Sequence, residues 1–286
     1  MQSGQASRTA LGAAAHRAAH QVLEQGRIFA DPLALRILGA DADAAVRDAD
    51  DHPAQRGLRL FIAARTRFAE DALAAARALG VRQLVVLGAG LDTYAYRATS
   101  GDALRMFEVD HPATQQWKRE RLAEAAIPVP GALTFAPVDF ERETLADGLA
   151  SAGFDRALPT FFTWLGVTPY LTEATVFSTL SFMVGLPGGA HVVFDYANPP
   201  ESLSDPEGRA AQEALAARVA SLGEPFQSYF ETDTLVASLQ ALGFREIEDL
   251  GPAEIAARYF RVTKPAGRGG HILRASTVRA MDPDRR

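Results

Sequence analysis

The chain has 286 residues, 48% hydrophobic and 22% charged, with 23 glycines and 16 prolines, a balance that excludes collagen-like, low-complexity and wholly disordered proteins. Its net charge of −6 repels phosphate backbones, and no basic run is longer than the closing Arg285-Arg286, so nucleic acid is not an expected partner. The absence of cysteine removes disulfides, thiolate nucleophiles, zinc–thiolate sites and iron–sulfur clusters together.

Arg8, His16, Arg17 and His20 interrupt the apolar texture of the N-terminal stretch, and no 18-residue apolar run occurs, so a cytoplasmic protein without export signal or membrane insertion is expected. Residues 6–25 and 53–80 are rich in Ala, Leu and Arg and read as helices. Between them Asp31-Pro32 combines a capping residue with proline at a first helical position and marks the start of a third helix. At Gln83-Leu84-Val85-Val86-Leu87 the texture changes to a continuous apolar strand. Further strands are predicted at 104–109, 133–138, 160–165, 190–195, 244–249 and 270–275, alternating with helices at 112–126, 141–152, 172–185, 207–222, 231–242 and 252–260. Such alternation predicts a seven-stranded, parallel, doubly wound sheet, because each crossover returns over a face of the sheet. Ligands of such sheets lie at the carboxyl ends of the strands near the switch point. The turn-rich segment 198–208 predicts a mobile loop or lid.

The first strand runs into Gly88-Ala89-Gly90-Leu91-Asp92-Thr93, a turn able to bring backbone N–H groups close to a nucleotide-like ligand. Twenty residues later Phe107-Glu108-Val109-Asp110 ends the second strand with a carboxylate suited to two ribose hydroxyls. Without a ligand, the same glycines make a tight strand-to-helix turn and Asp110 a helix cap before Pro112. NAD and S-adenosylmethionine both carry a ribose. A dinucleotide fingerprint wants a third glycine where Thr93 stands, and Asp92 would repel a pyrophosphate but attract a sulfonium or ammonium. The methyl donor is therefore the favoured cofactor.

Blocks along the chain carry a wider resemblance: Ile28-Phe29-Ala30-Asp31-Pro32-Leu33-Ala34, Ile62-Ala63-Ala64-Arg65-Thr66-Arg67-Phe68, Leu87 through Arg97, Phe107 through Pro112, Val138-Asp139-Phe140 and Leu165 through Thr172. Taken in order, they resemble the leucine carboxyl methyltransferase-like family, in its bacterial branch of S-adenosylmethionine-dependent O-methyltransferases. The resemblance runs from about residue 7 to the C-terminal strand and implies a class I methyltransferase core, Rossmann-like, over residues 81–277, with an N-terminal helical cap over 1–80 and a tail over 278–286. It assigns Arg65 to the donor's carboxylate, Gly88 and Gly90 to its methionyl part, Asp110 to the ribose hydroxyls, and Asp139 and Phe140 to the adenine. A guanidinium fork suits a carboxylate on its own chemistry as well. One position departs. The eukaryotic carboxyl methyltransferases place a glutamate for the donor's ammonium at the end of the fourth strand, where this chain has Leu165. Backbone carbonyls of that strand end or of the Gly88 turn, or Asp92, are the expected replacements.

Methyl transfer asks the protein mainly to align nucleophile, methyl and sulfur in a dry cleft. A carboxylate acceptor needs no base. A hydroxyl acceptor does, and His111 and Tyr170 are the candidate catalytic residues, each with a structural reading as well, a cap and a pocket wall respectively. Arg17 and Tyr170 are candidate acceptor contacts. No metal is expected: His16 and His20 have i, i+4 spacing but no acid was identified near them. The resulting expectation is an O-methyltransferase acting on a carboxylate or hydroxyl of a small molecule, or on an exposed protein carboxyl, as a monomer or homodimer. An NAD(P)-dependent oxidoreductase and a non-catalytic S-adenosylmethionine-binding protein are the alternatives.

Overall fold

Gln83–Leu87 (β1) is buried along its whole length because it lies in the interior of a sheet covered on both faces. Side chains alternate between the two faces. Val85 and Leu87 join one apolar cluster and Leu84 and Val86 another, as the period of two in a strand requires. The computed structural model describes residues 7–98, 104–139, 142–203, 205–260 and 270–278. The other strands are Arg105–Asp110 (β2), Leu133–Pro137 (β3), Thr160–Trp164 (β4), Ala190–Tyr196 (β5), Glu246–Leu250 (β6) and His271–Ser276 (β7). Their order is β3-β2-β1-β4-β5-β7-β6. β1 lies between β2 and β4, in the register Leu87 to Val109 on one side and Val86 to Thr163 on the other. The switch in strand order at β1 opens a crevice at the carboxyl ends, where Asp110 ends β2 and Gly88 and Leu165 follow β1 and β4.

The expectation of an all-parallel sheet is corrected at β7, which pairs antiparallel with both β5 and β6. An antiparallel neighbour needs no crossover over a sheet face, so β7 returns from β6 and slots in beside β5.

The helices are Arg8–Leu23 (α1), Ala34–Leu38 (α2), Ala42–Asp51 (α3), Arg56–Ala78 (α4), Tyr94–Arg97 (α5), Pro112–Glu124 (α6), Leu145–Ser151 (α7), Glu173–Val184 (α8), Pro206–Ser221 (α9), Thr232–Leu242 (α10) and Pro252–Ile255 (α11), the last followed by a π-helical turn, Ala256–Phe260. Helix α3 was not expected from the sequence. α4 ends where Gly80 takes φ +106°: the Gly80 N–H bonds the Arg77 carbonyl and the Val81 N–H the Ala76 carbonyl, a Schellman stop that turns the chain into β1. Asp31 accepts the Leu33 N–H as expected of a cap, though the helix begins at Ala34. One sheet face packs against α7, α8 and α10, the other against α4. α1 and α2 form a third cluster with Leu91 and with Leu122 of α6, which seats the N-terminal helices over the crevice. The expected mobile segment is tied down where it is described: Asn198 donates to the Phe230 carbonyl and accepts from Gln212, and Arg209 donates to the Leu203 carbonyl. The tail from residue 279 lies outside the described residues.

Candidate functional site

Gly88 and Gly90 both adopt positive φ, +63° and +42°. A Cβ on Gly88 would collide with the Val167 side chain, and one on Gly90 would come within 3.0 Å of Ala10 Cβ on α1. The protein's own packing thus requires both glycines, and α1 lies directly on the turn. The turn is fixed to the tip of β2: the Ala89 N–H bonds the Val109 carbonyl at 3.1 Å, and the Gly90 N–H donates to Asp110 Oδ2 at 2.6 Å. Asp110 Oδ1 accepts the His111 N–H at 2.7 Å. Burial raises the Asp110 pKa, and these two N–H donors oppose that rise. An ionised carboxylate has about four lone-pair sites, so about two are left for ligand hydroxyls.

Arg65, on the buried face of α4, crosses to the ends of β4 and β5. Its Nη1 donates to Asp195 Oδ2 at 2.7 Å, and Asp195 Oδ1 accepts the Gly166 N–H at 2.5 Å. Gly166 is needed here, because a Cβ would fall 2.6 Å from Arg65 Nη2. Arg65 Nε is buried without a hydrogen-bond partner, an unspent donor at the crevice. Asp195 was missed in the sequence. Its signal is the one that marked Asp110, an acid closing an apolar strand, here Val192-Val193-Phe194-Asp195.

The second half of the glycine motif serves the architecture. Asp31, fully buried, accepts the Thr93 hydroxyl at 2.7 Å and lies 2.8 Å from Arg17 Nε and 3.5 Å from Arg97 Nε. Arg17 also donates to the Leu91 carbonyl at 2.6 Å, so this candidate acceptor contact ties α1 to the turn. Arg97 continues to Glu70. Asp92 caps the Tyr94 N–H and lines a small gap together with Leu165, Glu70 and Thr163. An acid therefore faces the neighbourhood in which Leu165 replaces a glutamate.

The remaining predicted residues are spread around the same end of the sheet. The Val138 N–H bonds the Asp110 carbonyl and sets Asp139 beside the β2 tip, where Arg142 approaches it at 3.5 Å. Phe140 lies outside the described residues. His111 caps α6, its Nδ1 accepting the Ala113 N–H. Tyr170 follows β4 with its ring 5.2 Å from that of Phe226, and burial pushes its hydroxyl up to about 12. His20 does have an acid nearby, contrary to the sequence reading: Nδ1 lies 3.3 Å from Glu24, and Nε2 accepts the Ile28 N–H. Both of its nitrogens are thereby engaged away from His16.

Residues 10–184 match the family model described as Leucine carboxyl methyltransferase. A Bacillus subtilis protein named "Putative S-adenosyl-L-methionine-dependent methyltransferase YktD" is 38% identical over 200 residues, 69% of this chain and 65% of that protein. A Mycolicibacterium paratuberculosis protein named as the same kind of methyltransferase is 31% identical over 261 residues, 85% of this chain and 78% of its own length. For a Streptomyces coelicolor relative, 38% identical, the match spans 60% of that protein, so two of these three alignments cover under two thirds of the relative. Among solved structures, a DUF574 family protein from Streptomyces avermitilis superimposes with a TM-score of 0.52 at 14% identity, covering 91% of this chain and 95% of that one, a likeness of fold alone.

Proposed function

Because the chain belongs to the leucine carboxyl methyltransferase family, we propose that it is an S-adenosylmethionine-dependent O-methyltransferase that methylates a carboxylate or hydroxyl oxygen of a small molecule. The observation that carries the reading is Asp110, held by two backbone N–H groups beside the Gly88–Gly90 turn with acceptor capacity to spare. The buried, unpartnered Arg65 Nε supports it, since a ligand carboxylate satisfies a donor of that kind.

S-adenosylmethionine supplies a methyl group on a cationic sulfur. The chain's own residues bind and orient. Asp110 takes the ribose hydroxyls, Arg65 the carboxylate, and Asp139 with Phe140 the adenine. Asp92 and the turn carbonyls serve the ammonium that a glutamate would serve at Leu165. Residues 1–80 act as a cap that keeps water from the reacting atoms, residues 81–277 as the methyltransferase core, and 278–286 as a tail. Monomer or homodimer, with a small-molecule acceptor, is the working assembly. No helix among the described residues is long and apolar enough to cross a membrane.

Isothermal calorimetry with S-adenosylmethionine, S-adenosylhomocysteine, NAD and NADP tests this directly. Selective binding of the two adenosyl compounds is expected. Binding of NAD or NADP in their place would discard the assignments of Arg65 and Asp139 along with the reaction.

A further inference from the structure

The strand register places an acid beside Leu165. Trp164 pairs with Phe194 in the parallel β4–β5 ladder, so Leu165 and Asp195 are the next residues out on the two strands. Both side chains belong to the sheet face that α4 covers: Leu165 packs against that apolar cluster, and Asp195 Oδ2 accepts from Arg65 Nη1 at 2.7 Å. The pair adjoins the glycine turn through two consecutive residues. The Arg65 guanidinium fills the space that a Cβ on Gly166 would take, and the Val167 side chain fills the same space at Gly88. The acid is also held from its own backbone, because the Thr168 hydroxyl donates to the Asp195 carbonyl and the Ser228 hydroxyl to the Thr168 carbonyl.

The ion pair is almost closed to solvent, with side chains 11% and 6% exposed, yet neither partner is exhausted. Arg65 Nε is buried without a hydrogen-bond partner. The Asp195 carboxylate accepts the Arg65 Nη1 donor and the Gly166 N–H, and of about four lone-pair sites about two stay open. An unspent cationic donor and an unspent anionic acceptor therefore stand side by side. A simple anion drawn to this guanidinium meets the Asp195 oxygen 2.7 Å from it, and a simple cation drawn to Asp195 meets Arg65 in the same way. A ligand that carries both charges on one carbon is attracted by both partners and repelled in balance by neither. The α-amino acid end of S-adenosylmethionine is such a group.

We propose that Arg65 and Asp195 together form the receptor for the zwitterionic end of the methyl donor, in which Asp195 takes the donor's ammonium. The inference rests on the methyltransferase reading, in which Arg65 takes the donor's carboxylate, and adds the acid that completes the pair. An ammonium has three N–H donors, so Asp195 acts beside Asp92 and the turn carbonyls rather than in their place. Leu165 brings no charge of its own and has an acid on either hand, Asp195 next to it in the sheet and Asp92 across the gap that both line. Because the pair is fixed by Gly166 and Thr168 before any ligand arrives, little ordering is left for binding to impose.

The test is calorimetry of the full chain with S-adenosylhomocysteine, its analogue lacking the carboxyl group, its analogue lacking the amino group, and 5′-methylthioadenosine, which lacks both. Asp195→Asn and Asp195→Ser should each weaken binding of the two ammonium-bearing probes about tenfold and hold 5′-methylthioadenosine within about twofold. The analogue lacking the amino group should bind these variants no more weakly than the parent, since the acid that repels its carboxylate is gone. Losses confined to the carboxylate-bearing probes would make Asp195 a support for Arg65 alone, and equal losses with all four would make it a strut of the fold. Either result, or no loss with any probe, overturns the proposal and leaves the methyltransferase reading standing. Failure of S-adenosylhomocysteine to bind the parent chain overturns both.

Discussion

Glu108 and Lys118 form an ion pair whose side chains are each 1% exposed, 2.8 Å apart between β2 and α6. The Tyr96 hydroxyl donates to Glu108 Oε2 at 3.0 Å, the ammonium lies 5.2 Å from the centre of the Tyr96 ring, and Glu108 Oε1 has no partner. Burial pushes the Glu108 carboxyl up to about 7, against the opposing pull of Lys118. The folded state therefore holds this proton more tightly than the unfolded chain. The stability so contributed is complete below the ordinary carboxylate range and is lost as pH rises toward 7. Lys118→Met removes the cation from an acid that is fully buried. Breaking a buried pair in this way costs about 3–5 kcal/mol where the acid must ionise. At about 2 cal/mol/K per residue the unfolding entropy of a chain this size is about 0.6 kcal/mol/K, which converts the loss into a fall in Tm of about 5–8 °C at pH 8. At pH 5.5 Glu108 is protonated in both folded proteins, and because the parent carboxyl ionises only near 7, linkage makes the loss smaller there by up to about 1.4 kcal/mol, or about 2 °C in Tm. Circular dichroism melts at the two pH values read this directly, with Glu108→Gln/Lys118→Met as the control that should recover most of the loss at pH 8. Equal losses at both pH values, or a double variant no better than the single one, would refute the account of Glu108 as a buried acid dependent on Lys118.

Asp110→Ala should weaken S-adenosylmethionine binding at least tenfold by calorimetry, because hydrogen bonds to a charged group contribute about 1.5–3 kcal/mol each; an unchanged affinity would remove Asp110 from the ribose site. Arg65→Ala should cost more affinity for the complete donor than for an analogue lacking its carboxylate, and equal losses would make Arg65 purely a strut for Asp195. Gly88→Ala places a methyl group against Val167 at a positive φ, so a loss of about 1–3 kcal/mol is expected in urea unfolding. Adding Val167→Ala should restore part of it, and a Gly88→Ala protein as stable as the parent would show that the turn has slack.

What could be read in the sequence is what local chemistry determines. The apolar run of β1, the glycines behind it and the acid ending β2 are adjacent in the chain, so they announced themselves. β7 running antiparallel was not legible, because its direction depends on which neighbour it joins and period-two patterning is the same either way. α3 escaped because Ala42–Asp51 is short and acidic and is stabilised by packing against α1. Asp195 is a solitary residue whose significance lies in what other elements bring to it, Arg65 and Gly166. Conversely, the Thr93–Arg97 stretch and Asp31 stood out as motif residues and Arg17 as a candidate acceptor contact, and the three are partners of one another. The resemblance had selected an architectural network together with the residues proposed to hold the donor.

The Glu224 anchor of α1 links parts of the chain 215 to 217 residues apart. During synthesis at about 5–20 residues per second, the first helix emerges roughly 10–40 s before the carboxylate that caps it. The start of α1 is therefore made long before the carboxylate that anchors it. A nascent chain ending short of Glu224 leaves the Arg8 N–H and the Ser7 and Thr9 hydroxyls without this acceptor, and a ribosome-stalled series ending on either side of that residue should show protease protection at the start of α1 rising in the longer chains.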